Sequence, residues 1–114
     1  MDARGTLRFC NDFDMGGVRR FYTISNSAEQ RKRGWIMHKR ETKWFFPVRG
    51  RTKVKVEVEG GRQMSYLLDA DDSAVLQVPP ENWFLIEQDG TAEVQVFSNC
   101  MTGEFPDDDF RRPL

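Results

Sequence analysis

The chain has 114 residues, a length that suits one core, and we expect residues 1–114 to form a single domain. The formal net charge of −1 excludes a globally basic nucleic-acid binder and gives no reason to expect disorder. No apolar run approaches the roughly 20 residues of a membrane span, and the first residues lack the apolar core of a signal sequence. We therefore expect a soluble, cytoplasmic protein without a membrane or nucleic-acid partner.

Short segments rich in β-branched and aromatic residues recur along the chain, and turn residues close each of them. The predicted strands are Thr6–Phe9, Val18–Ile24, Thr42–Arg49, Thr52–Glu59, Arg62–Asp69, Ala74–Val78, Trp83–Glu87 and Thr91–Ser98. The polar stretch Ser25–Lys32 lacks periodicity and is interpreted as a surface loop. Because no segment has convincing helical periodicity, the pattern favours a β-sandwich or a small barrel.

The clearest strand signal lies at Thr52–Glu59, where three valines alternate with charged residues. This period of two is typical of an antiparallel strand with one solvated face. The following Gly60 and Gly61 predict a hairpin turn, because glycine accepts the positive φ angles that such turns need. Pro47 has no amide donor, so we expect it at a sheet edge or at a bulge.

The stretch between Arg33 and Gly50 concentrates the groups that could carry chemistry, and it contains His38, the one histidine of the chain. Imidazole ionises near neutral pH, so it is the usual proton-transfer group of an enzyme. Cations nearby could hold an anionic substrate, and tryptophans could stack on a flat ring. These residues are Arg33, Lys39, Arg40 and Lys43, with Trp35 and Trp44. The alternative is an ordinary surface or hydrogen-bonded histidine within a solvated basic face.

A protein-bound catalytic metal is not expected, because β-barrel metal sites draw on two or three histidines and this chain has one. The two cysteines, Cys10 and Cys100, match no metal spacing and are interpreted as free thiols in a reducing compartment. A cationic stretch on a nearly neutral protein suits a small phosphorylated ligand better than a long polyanion. We expect it to hold a diphosphate through Arg33, Arg40 and Lys43, because guanidinium groups bind phosphate oxygens at two points.

Three parts of the chain form a recognisable sequence pattern. The first is Arg33-Gly34, a three-residue gap and His38-Lys39, followed by Trp44-Phe45, Val48 and Gly50. The second is Leu67-Leu68-Asp69, Val78-Pro79-Pro80 and Trp83, and the third is Asp108-Asp109-Phe110-Arg111. In this order they resemble the Arg-Gly-x-His-x-His-Lys segment, the later strands with their double-proline turn, and the acidic Asp-Tyr-x-Arg region of a known family, the WxcM-like nucleotide-sugar 3,4-ketoisomerases.

The resemblance implies a cupin-type antiparallel jelly-roll barrel, all-β, and a homodimer that pairs through N-terminal strands. It implies an isomerase or epimerase that acts on a nucleotide-linked 4-keto-6-deoxy sugar in surface-polysaccharide biosynthesis. In this reaction His38 would move a proton between adjacent sugar carbons through an enediol, which requires no metal or redox cofactor. The substrate contacts would be Arg33, Lys39, Arg40, Lys43, Trp44 and Trp83, with Arg33 or Lys43 stabilising the enediolate oxygen.

Three positions depart from the family pattern. Ile36 stands where the first histidine of the motif would be, Lys43 where glutamine is usual, and Phe84 where a histidine often follows the tryptophan. These departures motivate an alternative, a non-catalytic cupin that binds a nucleotide sugar or serves as a partner protein. A His38 at the barrel mouth among arginines would favour the enzyme, whereas a His38 packed under Trp35 or facing bulk solvent would favour the alternative.

Overall fold

The computed structural model describes residues 5, 7–27, 29 and 31–114. Across these ranges the chain forms nine β-strands and two short 3₁₀ turns, Met15–Gly17 and Glu59–Gly61. The strands are β1 (Arg20–Ile24), β2 (Lys32–Met37), β3 (Lys43–Arg49), β4 (Arg51–Glu57), β5 (Gln63–Asp69), β6 (Leu76–Val78), β7 (Trp83–Gln88), β8 (Glu93–Ser98) and β9 (Phe110–Arg111). Within the same ranges, no helix is long and apolar enough to cross a membrane.

The strands form two antiparallel sheets, one with the order β1-β8-β3-β6 and the other with the order β5-β4-β7-β2-β9. Successive strands mostly alternate between the sheets, and of the described strands only the hairpin β4–β5 stays within one. A two-sheet structure with such crossings is a jelly roll. The predicted all-β, antiparallel jelly-roll fold is confirmed.

The inner faces of the two sheets pack into one apolar core. Alternate residues of each strand point inward, because successive side chains on a strand face opposite sides of the sheet. The most deeply buried of these residues are Phe45, Val54, Phe84, Ile86, Val94 and Val96. Burial of this apolar surface is the main favourable contribution to the folding free energy.

Seven of the eight predicted strands are confirmed, with ends that shift by one or two residues. The prediction of a strand at Thr6–Phe9 is wrong: residues 7–9 form no strand, and Thr6 lies outside the described residues. The side chain of Arg8 in this segment donates from Nη1 to the backbone carbonyl oxygen of Ala70 at 2.6 Å. The ring of Phe13 lies 5.7 Å from that of Trp44 and 5.3 Å from that of Phe97, on the outer face of the four-stranded sheet.

The predicted loop Ser25–Lys32 is too long by one residue, because Lys32 begins β2. Strand β2 escaped prediction because its apolar residues, Trp35, Ile36 and Met37, are consecutive and this half of the strand is covered on both faces. Ile36 points towards the core, and Trp35 is buried on the opposite face. A strand covered on both sides lacks the alternation that marks a half-exposed strand.

Two predicted irregularities are confirmed. The pairing of β3 with β8 shifts its register between Pro47 and Arg49, so the proline sits next to a bulge. Gly60 and Gly61 have φ angles of 85° and 79° and connect β4 to β5. Only glycine adopts such angles at little cost in free energy.

Candidate functional site

Two adjoining clefts open between the sheets. The larger has a volume of about 630 Å³ and is named the cationic cleft; its walls include Tyr22, Arg33, Ile36, Lys43, Phe84 and Arg111. The smaller has a volume of about 330 Å³ and is named the histidine cleft; its walls include Arg20, His38, Glu41 and Asp108. Ile36, Lys43 and Arg111 line both clefts, so the two share a wall.

Strand register explains how this shared wall forms. Ile36 on β2 pairs with Phe84 on β7 and, on its other side, with Arg111 on β9. Directly paired residues of neighbouring strands project to the same face of a sheet. The three side chains therefore share the inner face of the five-stranded sheet, while Lys43 approaches from β3 in the opposite sheet.

His38 directly follows β2 and is buried, with 9% of its surface exposed. Its Nδ1 lies 2.5 Å from the backbone carbonyl oxygen of Asp108. A carbonyl oxygen can only accept, so Nδ1 carries a hydrogen and the neutral ring has its lone pair on Nε2. Nε2 is buried and has no hydrogen-bond partner among the described residues. The neutral ring thus offers a basic nitrogen that no protein group occupies.

Asp108 holds the backbone next to His38 as well as the ring. Its carboxylate accepts hydrogen bonds from the backbone amides of Lys39, at 2.7 Å, and Arg40, at 3.0 Å. These two residues directly follow the histidine, so one buried aspartate fixes both the backbone and the tautomer of His38. The sequence drew attention to Asp108 only through the family resemblance, without a role.

A second buried carboxylate, that of Glu41, lines the histidine cleft beside His38 and Lys43. Its Oε2 accepts hydrogen bonds from Ser98 Oγ at 2.6 Å and Arg20 Nη2 at 3.0 Å, and it lies 3.6 Å from Lys43 Nζ. Its Oε1 lies 3.8 Å from Nδ1 of His38. The available signal in the sequence was that Glu41 is the one acid within a basic stretch, but no role had been assigned to it.

Lys43 and Tyr22 form a polar pair in the cationic cleft. Lys43 Nζ lies 2.6 Å from Tyr22 Oη, and the lysine side chain is only 12% exposed. An ammonium group can only donate, so the phenol oxygen accepts and its own proton remains available to another acceptor. Tyr22 was not identified as a site residue from the sequence.

Arg111 is charged, oriented and present in both clefts. Its Nε and Nη2 donate to the carboxylate of Asp109 at 2.8 Å and 3.1 Å. This hydrogen bond lowers the pKa of Asp109 below its ordinary value, helped by the positive charges of Arg111 and Lys43. The same pairing raises the pKa of Arg111. The guanidinium therefore keeps its charge and a defined direction at the shared wall.

The structure brings three of the sequence-predicted site residues to the clefts, namely His38, Lys43 and Arg33. Arg33 lines the cationic cleft and donates from Nε to Asn26 Oδ1 at 2.5 Å. The histidine is neither packed under Trp35 nor facing bulk solvent. It lies in the histidine cleft, whose walls also carry two arginines.

The other predicted site residues lie outside the linings of both clefts. Lys39 Nζ lies 5.2 Å from the ring centre of Phe110, and the Arg40 guanidinium lies 4.7 Å from that of Phe105. Trp44 and Trp83 each precede an inward-facing phenylalanine on their strand, so they project from the outer faces of the two sheets. Trp44 packs on Phe13, and Trp83 on Arg112.

Many solved structures resemble the chain, and three of them show the range. QdtA, a sugar 3,4-ketoisomerase from Thermoanaerobacterium thermosaccharolyticum in complex with TDP, has a TM-score of 0.74 and 19% identity, covering 98% of this chain and 81% of QdtA. A 3,4-ketoisomerase from Helicobacter canadensis has a TM-score of 0.74 and 19% identity, covering 97% and 83%. CapF, a capsular polysaccharide assembling protein from Staphylococcus aureus, has a TM-score of 0.68 and 15% identity. The match covers 82% of this chain but only 26% of CapF.

At these identities the likeness establishes the fold, and the family must come from the sequence itself. None of the curated proteins that were compared matches the chain significantly. The family model FdtA, described as WxcM-like, C-terminal, matches residues 1–110. The chain therefore belongs to the FdtA family of WxcM-like C-terminal domains, as the segment between Arg33 and Gly50 predicted.

Proposed function

We propose that the protein is an isomerase or epimerase of a nucleotide-linked 4-keto-6-deoxy sugar, with His38 as its single base. The observation that carries this proposal is the buried, unpartnered Nε2 of His38 at a cleft lined with cations. Family membership supports the proposal, and so do the solved structures of similar fold that are described as 3,4-ketoisomerases. One of them is a histidine-to-asparagine variant of QdtA in complex with TDP-4-keto-6-deoxyglucose.

The proton transfer follows from the tautomer of His38. Nε2 removes the proton from the carbon next to the keto group, the C–H electron pair forms a carbon–carbon double bond, and the keto oxygen becomes an enediolate. The hydroxyl proton on the carbon that was deprotonated passes to the former keto oxygen. The imidazolium then returns its proton to the former keto carbon, and the oxygen left without a proton forms the new keto group. The Asp108 carbonyl holds the ring throughout, because Nδ1 donates to it in both charge states. A base positioned in this way contributes about 10² to 10⁴-fold to the rate.

Lys43 and Tyr22 supply the group that stabilises the enediolate. Negative charge develops on the keto oxygen in the transition state, and fixed donors aimed at this charge lower the barrier. The Lys43 ammonium is held by Tyr22 at 2.6 Å and faces the Glu41 carboxylate at 3.6 Å, so its position is defined before substrate binds. The free proton of the Tyr22 hydroxyl is a second donor to the same oxygen.

The cationic cleft would hold the nucleotide diphosphate through Arg33 and Arg111. Guanidinium groups bind phosphate oxygens in a bidentate manner. The volume of about 630 Å³ is within the range of small-molecule sites. Lys39 and Arg40 do not belong to this lining, whereas Arg111 does. We therefore assign the diphosphate contact to Arg111 in place of Arg40.

A second candidate function is a non-catalytic nucleotide-sugar-binding or partner cupin. Ile36 and Phe84 favour it, because they present an apolar surface at a wall that also carries Lys43. An apolar wall binds a sugar ring or a methyl group but transfers no proton.

Incorporation of solvent deuterium into a dTDP-4-keto-6-deoxyhexose distinguishes the two functions. The wild type should exchange deuterium at the carbon next to the ketone, and His38→Asn should bind nucleotide equally well but exchange about 10² to 10⁴-fold more slowly. A wild type that binds the sugar nucleotide without exchange would establish the binding protein instead. If His38→Asn exchanges as fast as the wild type, His38 is not the base.

A further inference from the structure

A continuous segment after β8, named here the strap (residues 99–112), carries two of the groups that complete the site. Asp108 holds the ring of His38, and Arg111 lies at the shared wall of the clefts. The strap ends against β2, where β9 pairs with Ile36 and Met37. Groups that fix the strap therefore also fix the surroundings of His38.

Arg112 anchors this segment on the outer face of the five-stranded sheet. Its guanidinium lies between two indole rings, 4.8 Å from the ring centre of Trp35 and 4.7 Å from that of Trp83. It also forms a two-point ion pair with the carboxylate of Glu57, and its backbone amide donates to the carbonyl of Trp35 at 3.3 Å. An arginine stacked on aromatic faces and paired with a carboxylate loses much of its mobility.

Arg112 and Arg111 are consecutive residues whose side chains lie on opposite faces of the five-stranded sheet. Arg111 pairs with Ile36 and faces inward, so the next residue, Arg112, faces outward. Both tryptophans reach the anchor from strands that also carry the inner wall: Trp35 precedes Ile36 on β2, and Trp83 precedes Phe84 on β7. A shift of Arg112 along the outer face would thus displace Arg111 on the inner face.

We propose that Arg112 is a positioning residue of the site: its capture by Trp35, Trp83 and Glu57 holds the strap so that Asp108 meets His38 and Arg111 faces the clefts. Trp35, which the sequence suggested as a stacking group, and Trp83, which was expected to contact the substrate, thus stack on a side chain of the protein itself. The effect on nucleotide binding rests on the proposed function, whereas the effect on His38 does not.

The test compares Arg112→Ala and Arg112→Lys with a matched control, Arg51→Ala, which removes an exposed arginine from an ion pair with Asp69 on the same sheet. The first readout is the Nδ1–H resonance of the histidine in proton NMR, which is unambiguous because the chain has one histidine. The second readout is the dissociation constant of TDP. Both are measured on the full chain.

We expect the Nδ1–H resonance to broaden or disappear in Arg112→Ala, because the loosened carbonyl of Asp108 lets the proton exchange with water. TDP should bind about three- to tenfold more weakly. In both readouts Arg112→Lys should lie between the wild type and Arg112→Ala, because lysine keeps the charge but lacks the planar guanidinium. Arg51→Ala should match the wild type in both readouts.

An unchanged resonance and an unchanged TDP affinity in a folded Arg112→Ala would overturn the proposal, even if the variant melts at a lower temperature. If Arg112→Ala does not fold, Arg112→Lys is judged by the same two readouts. If TDP does not bind the wild type, the proposed nucleotide function fails and the histidine resonance alone decides the role of Arg112.

Discussion

Ile36 on β2 lies directly opposite Phe84 on β7, as one cross-strand pair on the inner face of the five-stranded sheet. These are two of the three positions at which the chain departs from the family pattern. Side chains that face each other across two strands contribute to stability as a pair. The two apolar residues are therefore mutually compatible, whereas a lone polar residue at either position would face an apolar partner. The wall beside His38 is thus apolar on both of the paired strands.

Phe84→Ala should strongly destabilise the protein. Phe84 is 2% exposed, and its ring meets that of Phe45 edge-on with centres 5.8 Å apart. Truncating a buried phenylalanine leaves a cavity and costs about 3–5 kcal/mol in the free energy of unfolding. Urea denaturation measures this loss. Leu67→Ala is the control: that leucine is 61% exposed, and its truncation should change the free energy of unfolding by less than about 0.5 kcal/mol.

The two cysteines should differ in their reactivity. Both are free, but Cys100 is buried, whereas Cys10 is half-buried. Burial raises the pKa of the Cys100 thiol, and the negative charges of Glu41, Glu104 and Asp108 add to this rise. Because the thiolate is the nucleophile, iodoacetamide at pH 8 should label Cys10 before Cys100, as measured by mass spectrometry of peptides. Equal labelling rates in the folded protein would contradict the described environment of Cys100.

A homodimer stays a prediction, and β1 is its proposed interface. This strand pairs with β8 on one side and lies at the edge of the four-stranded sheet. An edge strand with a largely exposed phenylalanine, Phe21, is suited to pair with a second copy. Light scattering after gel filtration should give twice the 13.3 kDa mass of one chain. Phe21→Lys should give the monomer, and a wild type that elutes as a monomer would rule the dimer out.

Most strands could be predicted because apolar and polar residues alternate along a half-exposed strand, and this alternation is visible in the sequence. In β4, Val54 and Val56 are buried, whereas Lys53 and Lys55, which alternate with them, are not, and this is the pattern that was recognised. The apolar half of strand β2 is covered on both faces, and β9 has only two residues, too few for any period. The missed strands nevertheless lie beside the site, because His38 directly follows β2 and Asp108 precedes β9 by two residues.

Residue type identified His38, Lys43 and Arg33, because imidazole, ammonium and guanidinium groups suit the expected chemistry. It could not identify Asp108, which reaches His38 across 70 positions of the chain. Residue type also does not show from which face of its sheet Trp44 or Trp83 projects. A shift of one residue reverses the face of every side chain on a strand, and composition does not determine that register.

Arg33 and Arg40 were both expected from the sequence to contact the diphosphate, and a nucleotide-binding measurement distinguishes them. A nucleotide diphosphate that binds only the folded state raises the free energy of unfolding, and the gain grows with the ratio of ligand concentration to the dissociation constant. TDP or UDP at millimolar concentration should therefore raise the melting temperature of the wild type. Arg33→Ala should lose most of this rise, because Arg33 lines the cationic cleft.

Arg40→Ala is the matched control within the same stretch. Its guanidinium lies over Phe105, and the residue is absent from the linings of both clefts, so the nucleotide-induced rise should remain. Equal losses in the two variants would mean that the basic stretch attracts phosphate only by its overall charge. In that case 0.5 M salt would abolish the rise in the wild type as well, because screening at that ionic strength acts within about 5 Å. Loss in Arg33→Ala alone, with the rise retained at moderate salt, assigns the diphosphate to the cationic cleft.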